Sequence, residues 1–365
     1  MLRTKWFNLV SLLVVVAMLL GAWQPVLAQE SPPAPEPQGL RPDAPPYGVR
    51  GMYPVGVRDF SIDAGDHVVD TTVWYPALNP DNVEEEVTYT IGAGVPNMAG
   101  LPISGRAIAD AAPDTAQGPY PLVIFSPGLS AWRQANSYLL EHLASFGFVV
   151  MATDPRGETY EQFWEGAATR PIDTQLTIDY AEALTADDGA LEGLIDIEHI
   201  ATVGHSSGGW SALLGGGAQM DLGWCAANPE LVAENELSNC AQFVPNVDQI
   251  ADMLGLDAAP TGMWPPTNDP RVDAVIALAP DGDIWGAEYE GVSMLKAPTL
   301  VVAGSRDTVN VSERAAYPIY EHLGSVKKGL LVFENADHQI SFNQCRDTPW
   351  MVPDFFWACA DAVWD

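Results

Sequence analysis

A chain of 365 residues with 48 acidic and 16 basic side chains carries a formal charge of −32. A surface so negative repels phosphate backbones and anionic lipid heads, which excludes nucleic-acid binding as its task. Beyond the first 28 residues no apolar stretch approaches the ~20 residues needed to cross a bilayer, so no membrane insertion is expected of the mature chain.

Taken in chain order, the first segment reads as a targeting signal. Arg3 and Lys5 precede an apolar run from Leu9 to Leu20, and Val26-Leu27-Ala28 offers a small-residue cleavage pattern. Asn8, Ser11, Gly21 and Gln24 interrupt the run, which favours a cleaved signal peptide over residues 1–28 rather than an anchor. A secreted or periplasmic protein is expected. Residues 29–46 hold seven prolines in 18 positions and read as an extended linker. With no internal repeat and no second proline-rich linker, residues 47–365 are expected to form one domain.

Within that body, Val55–Ile62 and Asp70–Tyr75 alternate polar and apolar residues and read as an antiparallel pair of strands. From Pro121 onward, short apolar runs alternate with helix-like stretches, the pattern of a mostly parallel sheet with helices on both faces. Leu122–Ser126 reads as a strand, Arg133–Phe146 as a helix stopped by Gly147, and Phe148–Thr153 as the next strand. Thr174–Thr185 is expected to be helical, Ile200–Gly204 a strand and Ser207–Gly215 a helix. Residues 218–270 break the rhythm and read as an inserted cap segment. Strands Val272–Ala279 and Thr299–Gly304, a helix Ser312–Leu323 broken at Pro318, a strand Gly329–Glu334 and a helix Pro353–Val363 complete the series.

All four cysteines, Cys225, Cys240, Cys345 and Cys359, lie in the exported part. Their even number suggests two disulfides. Three pairings are possible. Those closest in sequence, Cys225–Cys240 and Cys345–Cys359, would each close a loop of about 15 residues, worth about 3 kcal/mol in the chain-entropy model. No Cys-x-x-Cys spacing is present, so no zinc site is expected. Asp281 and Asp283, lacking further ligands, do not make a calcium site.

Gly204-His205-Ser206-Ser207-Gly208 carries the clearest chemistry. A G-x-S-x-G run between a strand and a helix is a nucleophile turn, in which glycines two positions away make room for a cramped serine. Ser207 also bears a hydroxyl, but the glycine spacing centres on Ser206. A serine hydroxyl needs a base. Of the six histidines, only His322 and His338 follow the serine at a distance. His322 falls inside a helix pattern, whereas His338 follows the last strand, which selects His338. The orienting acid should end a late strand. Asp307, in a Gly-x-x-Asp run after Thr299–Gly304, is favoured, and Asp281, after Val272–Ala279, stays as the alternative. Asp337 reads as a turn residue. The amides of Ser207 and of Leu129, in Ser126-Pro127-Gly128-Leu129, are candidates for an oxyanion hole.

Several segments together resemble the secreted α/β-hydrolases grouped with platelet-activating-factor acetylhydrolases and dienelactone hydrolases. They are Tyr53-Pro54-Val55-Gly56-Val57-Arg58, Val73-Trp74-Tyr75-Pro76, Phe125-Ser126-Pro127-Gly128, Leu143–Val150, the Ser206 motif, Ala297–Asp307 and Ala336-Asp337-His338. The stretches around Asp307 and His338 are also similar to bacterial cutinases and polyester hydrolases. Those enzymes carry an aromatic, a methionine and a tryptophan where this chain has Leu129, Ser207 and Asp281. The resemblance implies an α/β-hydrolase fold and a cofactor-free serine esterase that hydrolyses short-chain carboxylic esters through an acyl-enzyme. Its substrates would be small-molecule or lipid-like esters. A lipase or phospholipase and a polyester hydrolase are the alternative activities; a catalytically silent binding module on the same fold is the non-enzyme alternative.

Overall fold

The computed structural model describes residues 46–65, 67–92, 99–156, 162–230, 238–343 and 347. The chain divides into two units, Met1–Val49 and Arg50–Asp365. Of the first, residues 46–49 are described, with one 3-10 turn at Pro46–Gly48. The expected signal peptide, the linker as far as residue 45, the Cys345–Cys359 pair and the helix Pro353–Val363 lie outside the described residues.

The second unit opens on β1 (Val55–Asp63) and β2 (Val68–Pro76), paired antiparallel from Val55↔Pro76 to Asp63↔Val68. A hairpin follows that the sequence did not announce, β3 (Val87–Thr90) with β4 (Pro102–Gly105). Two four-residue strands lack the length that makes alternation visible. What fixes the hairpin is tertiary: Tyr89 Oη donates to Glu141 Oε1 at 2.6 Å and accepts from Trp74 Nε1 at 2.8 Å. Burial pushes the Glu141 carboxyl up to about 8. A two-residue strand, β5 (Ile108–Ala109), then runs parallel to β1.

The alternating part consists of β6 (Tyr120–Ser126), α1 (Ser137–Ser145), β7 (Val149–Thr153), α2 (Gly166–Thr185), β8 (Ile195–His205) and α3 (Ser207–Gly215). Between α3 and the next strand, three short helices lie among the described residues, α4 (Leu222–Ala227), α5 (Asn239–Phe243) and α6 (Val247–Met253). The chain then runs through β9 (Val272–Leu278), α7 (Glu290–Ser293), β10 (Thr299–Gly304), α8 (Ala316–His322) and β11 (Lys328–Phe333). Nine strands form one sheet in the order β11-β10-β9-β8-β6-β7-β2-β1-β5. Pairing is antiparallel at β1–β2 and β2–β7 and parallel elsewhere. This is the α/β-hydrolase fold. Leu140 and Ala144 of α1 pack with Val123, Phe125 and Val150 on one face. Ile178 and Ala181 of α2 pack with Leu122, Ile124 and Met151 on the other. Near-continuous burial along β6, β7 and the second half of β8 follows from being covered on both sides.

Three helix limits differ from the sequence reading, each for a local reason. α1 begins at Ser137 rather than Arg133, because the preceding residues are claimed by distant partners. The Arg133 amide donates to Asp154 Oδ1 at 2.8 Å, the Gln134 side chain donates to Thr72 Oγ1 at 2.9 Å, and the Gln134 carbonyl accepts from Asn343 Nδ2 at 2.9 Å. α2 begins eight residues before Thr174, at Gly166, and carries Pro171 inside it. The proline lies in the second turn, and Thr169, Thr174 and Thr177 fold their hydroxyls back onto carbonyls four residues earlier. Pro318 does not split a helix. It sits at the third position of α8, where its missing N–H has no intrahelical acceptor to lose.

Residues 218–270 do interrupt the alternation. Leu222, Cys225, Cys240, Phe243, Ile250 and Trp264 join one buried cluster with Phe163, Trp210 and Trp285. Cys225 and Cys240 form a disulfide. Among the described residues no helix is long and apolar enough to cross a membrane.

Parallel pairing of β6, β8, β9, β10 and β11 puts their carboxyl ends on one edge of the sheet. Every residue singled out from the sequence for chemistry follows one of these five ends.

Candidate active site

β8 runs straight into α3 with Ser206 as the only residue between them. Ser206 takes φ +56° and ψ −118°, a conformation that a side-chain-bearing residue adopts only when its surroundings enforce it. The surroundings are backbone. A Cβ on Gly204 would lie 2.0 Å from the Gly208 oxygen, and one on Gly208 would lie 1.8 Å from the Ser126 oxygen. Neither position accepts any other residue without moving main chain. The Ser206 amide donates to the Leu278 carbonyl at 2.9 Å, tying the turn to β9. Its carbonyl accepts from the Gly209 amide at 2.7 Å, which starts α3.

The loop after β6 packs on this turn. A Cβ on Gly128 would meet the Ser206 Cβ at 3.4 Å. Among the described residues the amides of Leu129 and Ser207 donate to no other group, so two N–H groups remain available beside the serine.

The candidate base and acid lie in the two loops at the far end of the same edge. His338 Nδ1 lies 2.8 Å from Asp307 Oδ2, with His338 4 % and Asp307 6 % exposed. The other Asp307 oxygen, Oδ1, accepts the Val309 amide at 2.9 Å and the Asn310 amide at 2.8 Å. Three donors therefore converge on one enclosed carboxylate, which holds the imidazole with Nε2 turned away from it. Asp337 does what a turn residue does: its Oδ1 accepts the His338 amide at 2.7 Å and the Thr308 amide at 3.4 Å.

Asp281 is differently placed. Its Oδ1 accepts the adjacent Gly282 amide at 2.6 Å. Burial, with Asp283 and Asp307 adding negative charge, pushes its carboxyl up to about 8. His338 is joined to Asp307 and not to Asp281.

One participant escaped the sequence reading. His205, 1 % exposed, points Nε2 at the His338 carbonyl at 2.8 Å, with the two rings 4.8 Å apart. Burial, then the neighbouring His338, lowers it to about 3, so it stays neutral and donates through Nε2. No hydrogen bond joins Ser206 Oγ to the His338 ring among the described residues; the serine turn and the histidine loop meet through His205 instead. Serine–imidazole contacts are commonly long before substrate arrives. The position between glycine and serine was the only available signal for His205. Beyond His338, the side chain of Asn136 at the start of α1 donates to the Ser341 carbonyl and holds the other end of that loop.

Cys225–Cys240 stands next to this edge: both sulfurs lie within reach of the Asp283 carbonyl, at 3.6 and 2.9 Å. His322 lies away from it, at the end of α8, stacked on Tyr289 with ring centroids 5.4 Å apart.

Two family models match parts of the chain. The model for platelet-activating factor acetylhydrolase, isoform II, matches residues 103–164, which contain β6 and the Leu129 loop. The PET hydrolase-like model matches residues 255–352, which contain Asp281, Asp307 and His338. Ser206 lies between the two spans. Among solved structures, a ferulic acid esterase from Streptomyces cinnamoneus is similar over 86% of this chain and 81% of that one, with 22% identity and a TM-score of 0.49. The two matched families are ester hydrolases, and an ester hydrolase is what this chain's sequence matches support.

Proposed function

We propose that the protein is an exported serine esterase that hydrolyses short-chain carboxylic esters through an acyl-enzyme. The observation that carries this reading is the 2.8 Å bond from His338 to the enclosed Asp307, on the edge where Ser206 is forced into a positive-φ turn.

Ser206 Oγ adds to the ester carbonyl carbon while its proton passes to His338 Nε2, and the carbonyl electron pair moves onto oxygen. The amides of Leu129 and Ser207 receive that oxyanion. When the tetrahedral adduct collapses, the C–O bond to the alcohol breaks and His338 returns the proton to the departing oxygen. Water, deprotonated by His338, then adds to the acyl group on Ser206, and the second collapse releases the carboxylic acid and restores the serine. Asp307 holds the imidazole tautomer and stabilises the imidazolium in both halves. These steps need no cofactor. Among the described apolar residues of 218–270, Trp264 is 1 % exposed and Trp224, Leu254 and Leu256 pack against the buried cluster, while Met253 stays 37 % exposed. That favours an esterase over a lipase with an open apolar cap face.

The test is hydrolysis of p-nitrophenyl acetate, butyrate and octanoate by the wild type and by Ser206→Ala. A loss of at least roughly 10³-fold in kcat is expected, with the wild type slowing as the acyl chain lengthens. Full activity of Ser206→Ala would falsify the reading.

A further inference from the structure

Resting on the serine-esterase reading, we propose that Arg170 is the positioning residue that sets the oxyanion-binding loop.

Arg170 lies in α2, 44 residues after Ser126, and is 4 % exposed. Its guanidinium is directed at the loop after β6. Nη1 donates to Ser126 Oγ at 2.6 Å and to the Pro127 carbonyl at 2.7 Å, and Nη2 lies 3.5 Å from the Gly128 carbonyl. The guanidinium carbon stands 5.8 Å from the ring centre of Trp210, a fully buried residue of α3, four positions after Ser206. One side chain thus touches every residue from Ser126 to Gly128 and rests on the helix that the nucleophile opens.

The consequence follows from peptide geometry. The Gly128 carbonyl and the Leu129 amide belong to the same planar trans peptide, so they point in opposite directions. Drawing the carbonyl toward Arg170 turns the Leu129 N–H the other way. The Pro127 carbonyl fixes the Gly128 amide by the same rule. The loop also packs against the serine turn, for a Cβ on Gly208 would lie 1.8 Å from the Ser126 oxygen and 2.7 Å from the Pro127 oxygen. The loop is therefore held by both the guanidinium and the serine turn. A rigid, planar fork suits this task, since it reaches several oxygens at fixed angles where an ammonium offers a point charge. A fixed positive charge behind the oxyanion loop also favours negative charge developing in front of it.

A residue that only supported the fold would lower all activities alike. One that aims the Leu129 amide lowers those that depend on the oxyanion. The experiment is to measure kcat and KM of Arg170→Gln and Arg170→Lys on a matched pair of substrates, an ester and its thionoester, with Ser206→Ala beside them. Sulfur accepts hydrogen bonds poorly, so the thionoester gains little from the oxyanion hole. For Arg170→Gln a fall of roughly 100-fold in kcat on the oxoester is expected, with KM within about threefold and a smaller fall on the thionoester. The oxoester-to-thionoester ratio should therefore drop at least roughly tenfold, and Arg170→Lys should recover part of it. This ratio does not depend on how much of a variant folds, because both substrates report on the same active molecules. An unchanged ratio, at whatever absolute rate, would overturn the assignment while leaving the esterase intact. Activity surviving in Ser206→Ala would instead remove the serine-esterase reading on which it rests.

Discussion

Two aspartates follow neighbouring parallel strands at the same edge of the sheet, and their surroundings differ sharply. Asp307, after β10, receives His338 Nδ1 and the amides of Val309 and Asn310. Asp281, after β9, receives the amide of Gly282 and stands in the field of Asp283 and Asp307. The difference lies in the supply of donors, not in residue type or topology. Donated hydrogen bonds supply an enclosed carboxylate with partners, whereas neighbouring carboxylates raise a buried carboxyl's affinity for its proton. Only the first can stabilise an imidazolium.

The strongest way to break this contrast is to neutralise each carboxylate in turn. Asp307→Asn should lower kcat on p-nitrophenyl butyrate by roughly 10³–10⁴-fold, because the amide leaves the imidazole in the wrong tautomer. Asp281→Asn should change it by less than about threefold. The reverse ranking would make Asp281 the acid and the His338–Asp307 contact incidental.

A smaller effect sharpens the contrast through stability. Burial, with the charges of Asp283 and Asp307, raises the folded pKa of Asp281 above its value near 4 in the unfolded chain. The folded state therefore binds more protons above about pH 4, and stability falls as pH rises from there until the folded carboxyl has ionised. Asp281→Asn removes this loss. Its melting temperature should match the wild type near pH 4 and exceed it, by on the order of a few degrees, at pH 8. A uniform offset at both pH values would mean that the carboxyl is not held protonated.

Legibility in the sequence follows the range of the forces involved. The serine turn could be read because its glycines bracket the serine in the sequence: Gly204 must be bare for the Gly208 backbone, and Gly208 for the Ser126 backbone. β10 and α3 took the limits expected of them because their apolar runs coincide with the buried stretches. The Gly-x-x-Asp run favoured Asp307 over Asp281, but the physical ground of the difference could not be read, since it depends on which loop amides turn inward after folding. The same holds for α1, whose start is delayed by bonds to Thr72, Asp154 and Asn343. Arg170 was hidden twice. Pro171 beside it masked the first half of α2, and its partners Ser126, Pro127 and Gly128 are more than 40 residues away. His205 was legible as part of a motif, but its bond to the His338 carbonyl spans 133 residues.

The most direct measurement is covalent labelling with a fluorophosphonate, followed by mass spectrometry of the peptides. A single adduct on Ser206 is expected, absent in Ser206→Ala and formed much more slowly in Asp307→Asn than in Asp281→Asn. Ester hydrolysis that persists with no adduct on Ser206, or an adduct that forms at an undiminished rate in Asp307→Asn, would contradict the triad.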